Sequence, residues 1–366
     1  MLEKTGVFIE DSKFGGPQRL LVNIFKEKKL KKKIKIFLSK ENNLILKKKI
    51  KKNNIDFCEI NICWLKKNFN GILFFLFNFI FDVFELIKII KKNNLSQIYI
   101  FGGASNIRTL IASKILKKKI IWHLHEVKIS IFLKYIFIIL YSDNIKFIFS
   151  SYSCKKFYTS FITIKNYIII PSGISIKKNI KNIKLKKINK KITISNVSNI
   201  NEDKNLEFFI KVANYFVEKN KNFFFKIYGN VWPNKFSYFN KIKKLIINKK
   251  QIKIIKGIDN LNIIHRSTDI YLCTSKNESS PLAVWEAMSL GIVVLSAPAG
   301  DLRLEIKNNI NGFLINEYDM HSFCKKLNWI IKNHHKLNKL RKNAILSMKQ
   351  KHDIKNISSQ ILNNFF

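Results

Sequence analysis

The chain has 366 residues, of which 47% are hydrophobic, so it can fill two domains of ordinary size and is not a disordered tail protein. Its formal net charge is +43, and all but five of the 67 basic residues are lysine. Lysine, asparagine, isoleucine and phenylalanine share AU-rich codons, and the lysines are spread along the chain. We therefore attribute the charge first to genome composition, then to an anionic membrane surface, and last to nucleic acid.

The cysteines and the apolar runs bear on the cellular compartment. The five cysteines are Cys58, Cys63, Cys154, Cys273 and Cys324. They lack the spacing of a metal site and are typical of a reduced, intracellular chain with buried thiols. The most apolar run, residues 72–81, is shorter than the about 20 residues that a membrane-spanning helix needs, and no signal peptide is evident. We expect a cytoplasmic protein, peripheral at most on the inner face of the cytoplasmic membrane.

Short apolar runs, each predicted to form a β-strand, alternate with longer helical patterns along the chain. The first series comprises residues 7–10, 34–38, 55–60, 98–101, 120–124, 147–150 and 167–170. The second series comprises residues 192–197, 223–228, 252–255, 269–273, 292–295 and 312–315. This alternation predicts an α/β protein with two parallel sheets, each covered by helices on both faces.

The predicted domains follow from a change in composition near the middle of the chain. Residues 175–190 are rich in lysine and asparagine and follow Pro171 and Gly173, which indicates a linker. We predict a first, Rossmann-like domain over residues 1–174 and a second over 191–340. Residues 341–366 are predicted to be a C-terminal helix that packs back on the first domain. Two doubly wound domains that face each other across a cleft bind ligands at the carboxyl ends of their strands.

Two places in the first half carry candidate residues. Gly15 and Gly16 follow the first strand and open the first helix, where backbone N–H groups can approach a ligand. An ordinary tight turn fits this pair as well, because the G-x-G-x-x-G spacing is absent. His123 and His125 fall on one face of a strand, with His125 nearest the carboxyl end. His125 can exchange a proton with a substrate hydroxyl or can be a neutral loop histidine, and no further residue has metal-ligand spacing.

Strand ends in the second half supply further candidates. Ser198 and Asn199 end a strand, and Lys204 is predicted to begin the next helix, where a lysine can meet a diphosphate. A solvated lysine is the alternative in a chain so rich in this residue. Gly229 and Gly257 each close a strand, where a loop can pass close to a base or ribose, although turn geometry alone also explains them.

The pattern with the most chemistry is a pair of carboxylates, Glu278 and Glu286, that stand eight residues apart with the sequence SSPL after the first. Pro281 is suited to the first turn of a helix, so Glu286 is predicted on the first or second turn and Gly291 as the stop signal. Backbone N–H groups and a helix dipole beside a carboxylate suit a ligand with phosphate and hydroxyl groups, such as a nucleotide sugar. An ordinary helix with incidental surface acids is the alternative.

The second half resembles the donor domain of the retaining glycosyltransferases of group 1, also called family 4, which have the GT-B fold. The matching residues are Lys204, Gly229, Gly257, Ser275, Glu278, Glu286, Ala287, Met288, Gly291, Val294, Glu305, Asn311, Gly312, Phe313 and Leu314. Together they extend over nearly all of residues 190–316. The first half is similar only at Gly15-Gly16 and at His125-Glu126.

This resemblance implies a hexosyltransferase-type enzyme that moves a sugar from a UDP- or GDP-linked donor to a glycan or lipid-linked acceptor, as in lipopolysaccharide, capsule or other surface polysaccharide synthesis. It implies that Glu286 holds the ribose hydroxyls, that Lys204 neutralises the departing diphosphate, and that Glu278 and His125 face the transferred sugar. The implied donor-binding set is Gly15, Gly16, Ser198, Asn199, Lys204, Gly229, Gly257, Ser279, Ser280, Pro281, Leu282 and Glu286. The family needs no metal or other cofactor, because basic side chains and helix N-termini take the leaving charge.

Departures from the family pattern leave other functions open. Asn199 stands where the family commonly has an arginine, so half of the positive clamp is missing unless Arg303 or a nearby lysine replaces it. Ser198 replaces a usual glycine, and Pro281 removes one N–H donor from a segment that is usually glycine-rich. The alternatives are a degenerate, non-catalytic GT-B binding protein, a GT-B sugar-nucleotide epimerase and a basic nucleic-acid-binding protein.

Overall fold

The computed structural model describes residues 4–11, 14–41, 44–62, 69–176, 191–257 and 261–366. The chain forms two compact units, one of Met1–Gly173 with Ile354–Phe366 and the other of Ile174–Asp353. Every predicted strand forms, with ends shifted by no more than two residues. The alternation of apolar runs and helical patterns therefore predicted the architecture of both units correctly.

In the first unit the described strands form one parallel sheet of seven strands. They are β1 (Thr5–Ile9), β2 (Ile34–Ser39), β3 (Phe57–Ile60), β4 (Gln97–Phe101), β5 (Lys119–Leu124), β6 (Ile145–Phe149) and β7 (Tyr167–Ile169). Their order in the sheet is β3-β2-β1-β4-β5-β6-β7. The central strand β1 is buried along its whole length, as expected for a strand covered on both faces.

The helices that cover this sheet follow the strands in sequence. They are α1 (Gly16–Phe25), α2 (Lys28–Lys31), α3 (Leu44–Lys52), α4 (Phe69–Lys92), α5 (Ile107–Ile115), α6 (Ile131–Leu140) and α7 (Tyr152–Thr159). The buried sides of α4, α6 and α7 share one hydrophobic cluster with β4, β5 and β6, in which Trp122, Phe147 and Tyr158 are among the largest side chains. Burial of these rings and of the aliphatic side chains around them stabilises this face of the sheet.

A buried arginine connects the carboxyl end of β1 to α4 and α5. The Arg108 side chain is 1% exposed, and its guanidinium lies 2.8 Å from Glu10 and 2.5 Å from Asp82. Glu10 also accepts hydrogen bonds from the backbone N–H and the hydroxyl of Thr109, and the Phe75 ring lies 4.4 Å from the guanidinium carbon. Paired in this way, the buried charges fix the start of α5 and the middle of α4 against β1.

The second unit contains a parallel sheet of six described strands in the order β10-β9-β8-β11-β12-β13. The strands are β8 (Ile192–Val197), β9 (Phe223–Gly229), β10 (Ile252–Lys256), β11 (Ile270–Cys273), β12 (Val293–Ser296) and β13 (Phe313–Leu314). The helices are α8 (Leu206–Lys219), α9 (Phe236–Lys244), α10 (Leu261–Ser267), α11 (Leu282–Ser289), α12 (Leu302–Glu305), α13 (Met320–Asn333) and α14 (Asn338–His352). The order reverses beside β8, so the loops after β8 and β11 lie at a switch point, where α/β sheets bind ligands.

The last helix, α15 (Ile354–Phe365), packs against α1 in the first unit. The sequence-based boundary at residue 340 falls inside α14, which continues to His352 because no glycine or proline interrupts it. Of the predicted linker, residues 177–190 lie outside the described part of the chain. At the start of the second unit, the Ile174 N–H donates a hydrogen bond to the His352 carbonyl oxygen at 2.8 Å.

Two helices of the first unit expose large apolar side chains. On α4 they are Leu73, Phe74, Leu76, Phe77, Ile80, Phe81 and Phe84, which we call the apolar face of α4. On α6 they are Ile131, Phe132, Tyr135, Ile138 and Ile139, the apolar face of α6. Among the residues that the structure describes, no helix is both long and apolar enough to cross a membrane.

The cysteines are distributed as expected, with one difference. Cys154, Cys273 and Cys324 are buried, whereas Cys58 is half-exposed. Cys63 lies outside the described residues.

Candidate functional site

Lys204 lies at the centre of a polar cluster at the carboxyl edge of the second sheet. The chain after β8 forms a short 3-10 turn over Glu202–Lys204, and α8 begins only at Leu206, so Lys204 precedes the helix instead of opening it as predicted. Between them Asn205 has a φ of 48°, a left-handed conformation that asparagine tolerates. The Lys204 Nζ lies 2.7 Å from Glu278 Oε1, and the two side chains are 20% and 13% exposed.

Hydrogen bonds also join the two loops that carry this pair. The Thr274 hydroxyl donates to the Lys204 carbonyl oxygen at 3.0 Å. The Lys276 N–H donates to the Asp203 carbonyl oxygen at 2.8 Å, and the Asn277 amide donates to the Asp203 carboxylate at 2.8 Å. The position of Lys204 is therefore set by the backbones of both loops, which reduces the entropy lost when a ligand binds.

The electrostatics of the cluster keep Lys204 charged. Burial by itself lowers the pKa of Lys204, but the charge and the hydrogen bond of Glu278 raise it, and the net pKa lies above the ordinary value. For Cys273, burial and then the charge of Glu278 raise the pKa of the thiol. The site therefore holds Lys204 as an ammonium beside Glu278, with a protonated thiol behind them.

The helix after Glu278 begins one residue later than predicted. Pro281 has a ψ of 88°, which is outside the helical region, so it is the N-cap residue and α11 begins at Leu282. The Ser280 hydroxyl does not cap the helix and instead accepts a hydrogen bond from the Trp285 indole N–H at 3.1 Å.

Glu286 lies on the second turn of α11, as predicted, and its side chain is 18% exposed. Gly291 follows the helix with a φ of 68°, and its N–H donates to the Met288 carbonyl oxygen, which confirms the predicted stop. The Glu286 Oε2 lies 3.9 Å from Nε2 of His265 on α10. Burial raises the pKa of Tyr271, with Glu278 and Glu286 both contributing, so the charges of both carboxylates reach the same part of the unit.

The strand-closing candidates lie beside one another. A Cβ on Gly229 would overlap the Ser198 carbonyl oxygen, so only glycine allows the ends of β8 and β9 to approach this closely. Asn199 is half-exposed directly after Ser198. At Gly257 a Cβ would meet only the side chain of Asn230, at 3.1 Å. The close approach of β8 and β9 therefore requires glycine at position 229. At position 257 a Cβ could be accommodated by a small movement of the Asn230 side chain.

The loop after β12 completes the surroundings of Glu278. Gly300 has a φ of 53°, and a Cβ there would overlap the Glu278 carbonyl oxygen. The Tyr318 hydroxyl donates to the Ser275 carbonyl oxygen at 2.5 Å. Burial raises the pKa of Tyr318 to about 12, although the charge of Arg303 opposes this, so Arg303 lies within electrostatic reach of the loop that leads to Glu278.

In the first unit, the glycine pair opens α1 as predicted. The helix begins at Gly16, with Gly15 as its N-cap residue and Pro17 in its first turn. The Gly15 N–H already donates to Gln18 Oε1 at 2.9 Å. The helix start is therefore partly satisfied by its own side chain.

The two histidines also lie side by side, as predicted. His123 is on β5 and His125 follows its end, with ring centroids 4.2 Å apart. The Tyr99 hydroxyl and His123 Nδ1 are 2.8 Å apart, and both Nε2 atoms are buried without a hydrogen-bond partner among the described residues. Burial lowers the pKa of His125 to about 3, and burial together with His125 lowers the pKa of His123 well below its usual range. Both rings are neutral near pH 7, so His125 is suited to hydrogen bonding and is a weak base.

Glu126 holds the neighbouring loop. Its carboxylate occupies the space that a Cβ on Gly103 would need and accepts the Ala104 N–H at 3.0 Å. This contact shapes the chain after β4, next to His125.

Sequence reasoning missed four polar residues near the cluster, namely Asp203, His265, Tyr271 and Tyr318. Each of them contacts a residue that is distant in the sequence, so residue spacing does not predict the contact. Of these residues only Asp203 has a sequence signal, as the neighbour of Lys204. Within the described parts of the chain, no three His, Cys, Asp or Glu side chains lie close enough together to hold a metal ion.

The second unit matches a known protein family over most of its length. Residues 177–347 match the family described as Glycosyl transferases group 1. The matching segment contains the Lys204–Glu278 pair and Glu286. No curated protein matches the chain in sequence.

Solved structures resemble the chain over both units. HepE from Anabaena, in complex with UDP and glucose, has a TM-score of 0.82 at 16% identity and covers 99% of this chain and 98% of its own. A glycosyltransferase from Rickettsia africae has a TM-score of 0.80 at 17% identity, with 99% and 97% covered. The lipopolysaccharide outer core galactosyltransferase WaaB, in its apo form, has a TM-score of 0.71 at 16% identity, with 99% and 100% covered. The predicted GT-B fold, with two parallel α/β domains, is thereby confirmed.

Proposed function

We propose that this protein is a retaining glycosyltransferase of family 4 that transfers a hexose from a nucleotide-diphosphate sugar to a glycan or lipid-linked acceptor. The observation that carries the proposal is the Lys204–Glu278 pair, 2.7 Å apart, within the residues that match the Glycosyl transferases group 1 family. A cation fixed beside a carboxylate at the carboxyl edge of a parallel sheet suits a sugar that carries a diphosphate.

The nucleotide would be held by Glu286. A carboxylate has about four lone-pair sites, so it can accept hydrogen bonds from both hydroxyls of a ribose at once. Its 18% exposed side chain leaves room for such contacts from one side. UDP is our first choice of nucleotide, because the similar HepE has been solved with UDP and with UDP-glucose, and GDP is the second.

The diphosphate would be held by Lys204 together with backbone N–H groups at the start of α11. Pro281 has no N–H, so Ser279, Ser280 and Leu282 would supply the donors. Arg303 is our candidate for the second cation that Asn199 does not provide, since its charge reaches the loop beside Glu278.

In the proposed reaction, the bond between the anomeric carbon and the donor phosphate oxygen breaks while the acceptor hydroxyl bonds to the same face of that carbon. The leaving phosphate oxygen takes the hydroxyl proton, so the configuration is retained. Lys204 stabilises the charge that develops on the diphosphate, and Glu278 contacts the transferred sugar. The scheme uses neither a metal ion nor another cofactor, and Glu278 and Glu286 do not act as a glycosidase pair.

The acceptor would be presented at an anionic membrane surface. The apolar faces of α4 and α6 expose large side chains in a chain whose net charge is +43. Apolar side chains that enter the interface and lysines that meet anionic lipids act together in peripheral binding. This supports a lipid-linked acceptor in lipopolysaccharide, capsule or other surface polysaccharide synthesis.

The proposal is tested by donor binding and turnover in wild type and in Glu286→Gln. UDP-, GDP- and ADP-sugars are screened by thermal shift, since a ligand at 100 times its dissociation constant stabilises the fold by about 2.7 kcal/mol. We expect one donor to stabilise the wild type and to release its nucleotide when acceptor is added, and Glu286→Gln to bind that donor more weakly and to release nucleotide more slowly while remaining folded. Glu218→Gln, an exposed change on α8, is the control and should behave as wild type.

The other outcomes separate the alternatives. Donor binding without transfer to any acceptor extract identifies the non-catalytic binding protein. Nucleic-acid binding that weakens steeply with salt, with no response to sugar nucleotides, identifies the basic binding protein.

A further inference from the structure

A histidine lies buried directly behind Glu286. His265 on α10 is 2% exposed, and its Nε2 lies 3.9 Å from Glu286 Oε2. Its neighbour Ile264 is packed against Tyr228, which anchors this part of α10 to the second sheet. The imidazole is thus held in place by packing, with one edge towards the carboxylate.

The buried imidazole of His265 has two nitrogen atoms that can form hydrogen bonds. Neither ring nitrogen of His265 has a hydrogen-bond partner among the residues that the structure describes. Leaving a buried polar group without a partner is destabilising, so an apolar residue would serve the packing better. The phenol of Tyr271, whose ring centroid lies 6.1 Å from that of His265, is already engaged with the Val197 backbone at 3.1 and 3.2 Å. Glu286 is therefore the polar group that His265 is placed to meet.

The separation of 3.9 Å is too long for a hydrogen bond, and closing it requires a movement of about 1 Å. Contacts of this type are often long in ligand-free proteins and shorten when the ligand binds. A carboxylate that accepts ribose hydroxyls still has lone pairs available on the side that faces the imidazole.

We infer that His265 is a positioning residue for Glu286: its Nε2–H donates to Glu286 Oε2 and fixes the carboxylate in the rotamer that accepts a vicinal diol. This inference rests on the proposed function, because the diol is the ribose of the nucleotide sugar. The same contact orients the carboxylate before the donor arrives, which lowers the entropy lost on binding. A purely structural histidine would fill the space and leave the donor affinity unchanged.

The test compares His265→Phe with His265→Gln in the full chain. Phenylalanine keeps the ring volume and removes the N–H, whereas the glutamine amide keeps a donor. We expect His265→Phe to raise KM for the nucleotide sugar roughly tenfold with little change in kcat, because the ribose is bound equally in ground and transition states. His265→Gln should recover a KM within about threefold of wild type. Equal KM values for wild type and His265→Phe, or no recovery in His265→Gln, would overturn the inference.

A double-mutant cycle tests whether His265 acts through Glu286. In the Glu286→Gln background, His265→Phe should weaken donor binding by less than about twofold, since the partner it positions is already altered. Donor dissociation constants from calorimetry supply the comparison, which remains usable where turnover is too slow to measure. A full additional tenfold loss in the double variant would show that His265 acts elsewhere.

The result for Glu286→Gln separates this inference from the proposed function. When Glu286→Gln weakens donor binding but His265→Phe does not, only the positioning role fails. When no nucleotide sugar binds the wild type, the proposed function fails with it.

Discussion

The Lys204 ammonium and the Glu278 carboxylate, 74 residues apart in the chain, lie 2.7 Å from each other. The carboxylate holds the lysine in one position and keeps it charged. A fixed cation needs no rearrangement to stabilise charge that develops on a departing diphosphate.

Replacement of this lysine should therefore remove most of the turnover. We expect Lys204→Ala to lower kcat/KM for the nucleotide sugar by about 10²–10³-fold, a loss typical of removing one preorganised donor to a developing charge. The rate of nucleotide release measures it. Lys241→Ala, which removes a 67% exposed lysine that pairs with Glu207 at 3.4 Å, is the matched control. Comparable rates for the two variants would contradict the role of Lys204.

The two strand-closing glycines should respond differently to alanine. Gly229→Ala places a Cβ against the Ser198 backbone oxygen, and overpacking of this type costs about 1–3 kcal/mol. We expect lower stability in denaturant and a donor affinity reduced at least tenfold. Gly257→Ala meets only the Asn230 side chain and should cost less than about 1 kcal/mol. Two variants of equal stability would argue against the close approach of β8 and β9.

The lowered pKa of His125 predicts that acid destabilises the first unit. The pKa of His125 is lowered to about 3, so between its unfolded value of 6.5 and about pH 3 the unfolded chain binds more protons than the folded chain. Stability from this group is therefore complete above pH 6.5 and falls as the pH falls, by at most about 1.4 kcal/mol per pH unit. His125→Asn should lose less stability than wild type on acidification.

Urea unfolding at a series of pH values measures this difference. His321→Asn, at an exposed position of the second unit, should follow the wild-type curve. Parallel curves for wild type and His125→Asn would show that the His125 ring does not titrate differently on folding.

The ionic network around Arg108 should be important for stability. Arg108→Met leaves Glu10 and Asp82 buried with reduced compensation, and breaking a buried pair in this way costs about 3–5 kcal/mol. The midpoint of urea unfolding of the first unit should fall accordingly. Arg266→Met, at an exposed position, should change stability by less than about 0.5 kcal/mol. A small effect of Arg108→Met would mean that water or another cation compensates the acids.

The apolar face of α4 should bind vesicles. Phe77 and Phe81 are 77% and 65% exposed, so Phe77→Glu with Phe81→Glu should leave the fold intact. Each ring that enters the interface contributes about 1.5–3 kcal/mol, so we expect at least a tenfold loss of binding to anionic vesicles in cosedimentation. Phe236→Glu, on α9 and 54% exposed, is the control. Unchanged binding of the double variant would exclude this face as the docking surface.

Most of the fold could be read from the sequence because parallel strands that are buried on both faces are short, continuous apolar runs. All of the predicted strands are present for this reason, including the two-residue β13. The position of Glu286 on its helix also followed from local signals, a proline before the helix and Gly291 after it. Such signals act within a few residues and are therefore visible in the chain itself.

Contacts between distant segments were not predictable in the same way. The pairing of Asp203 with Asn277 and the approach of His265 to Glu286 depend on which loops the sheet order brings together. The 3-10 turn before α8 was missed because it depends on a left-handed Asn205, and asparagine is common throughout this sequence. A pKa of about 3 for His125 reflects burial, which residue spacing does not reveal.

The return of α15 to the first unit has a consequence for biosynthesis. During translation the whole second unit must leave the ribosome before residues 354–366 emerge and can cover α1. Until then the nascent first unit exposes the apolar side of α1 that α15 later buries. The first unit, although most of it is synthesised first, is therefore completed only after the second unit has been translated. Until then it remains exposed to chaperones and to aggregation.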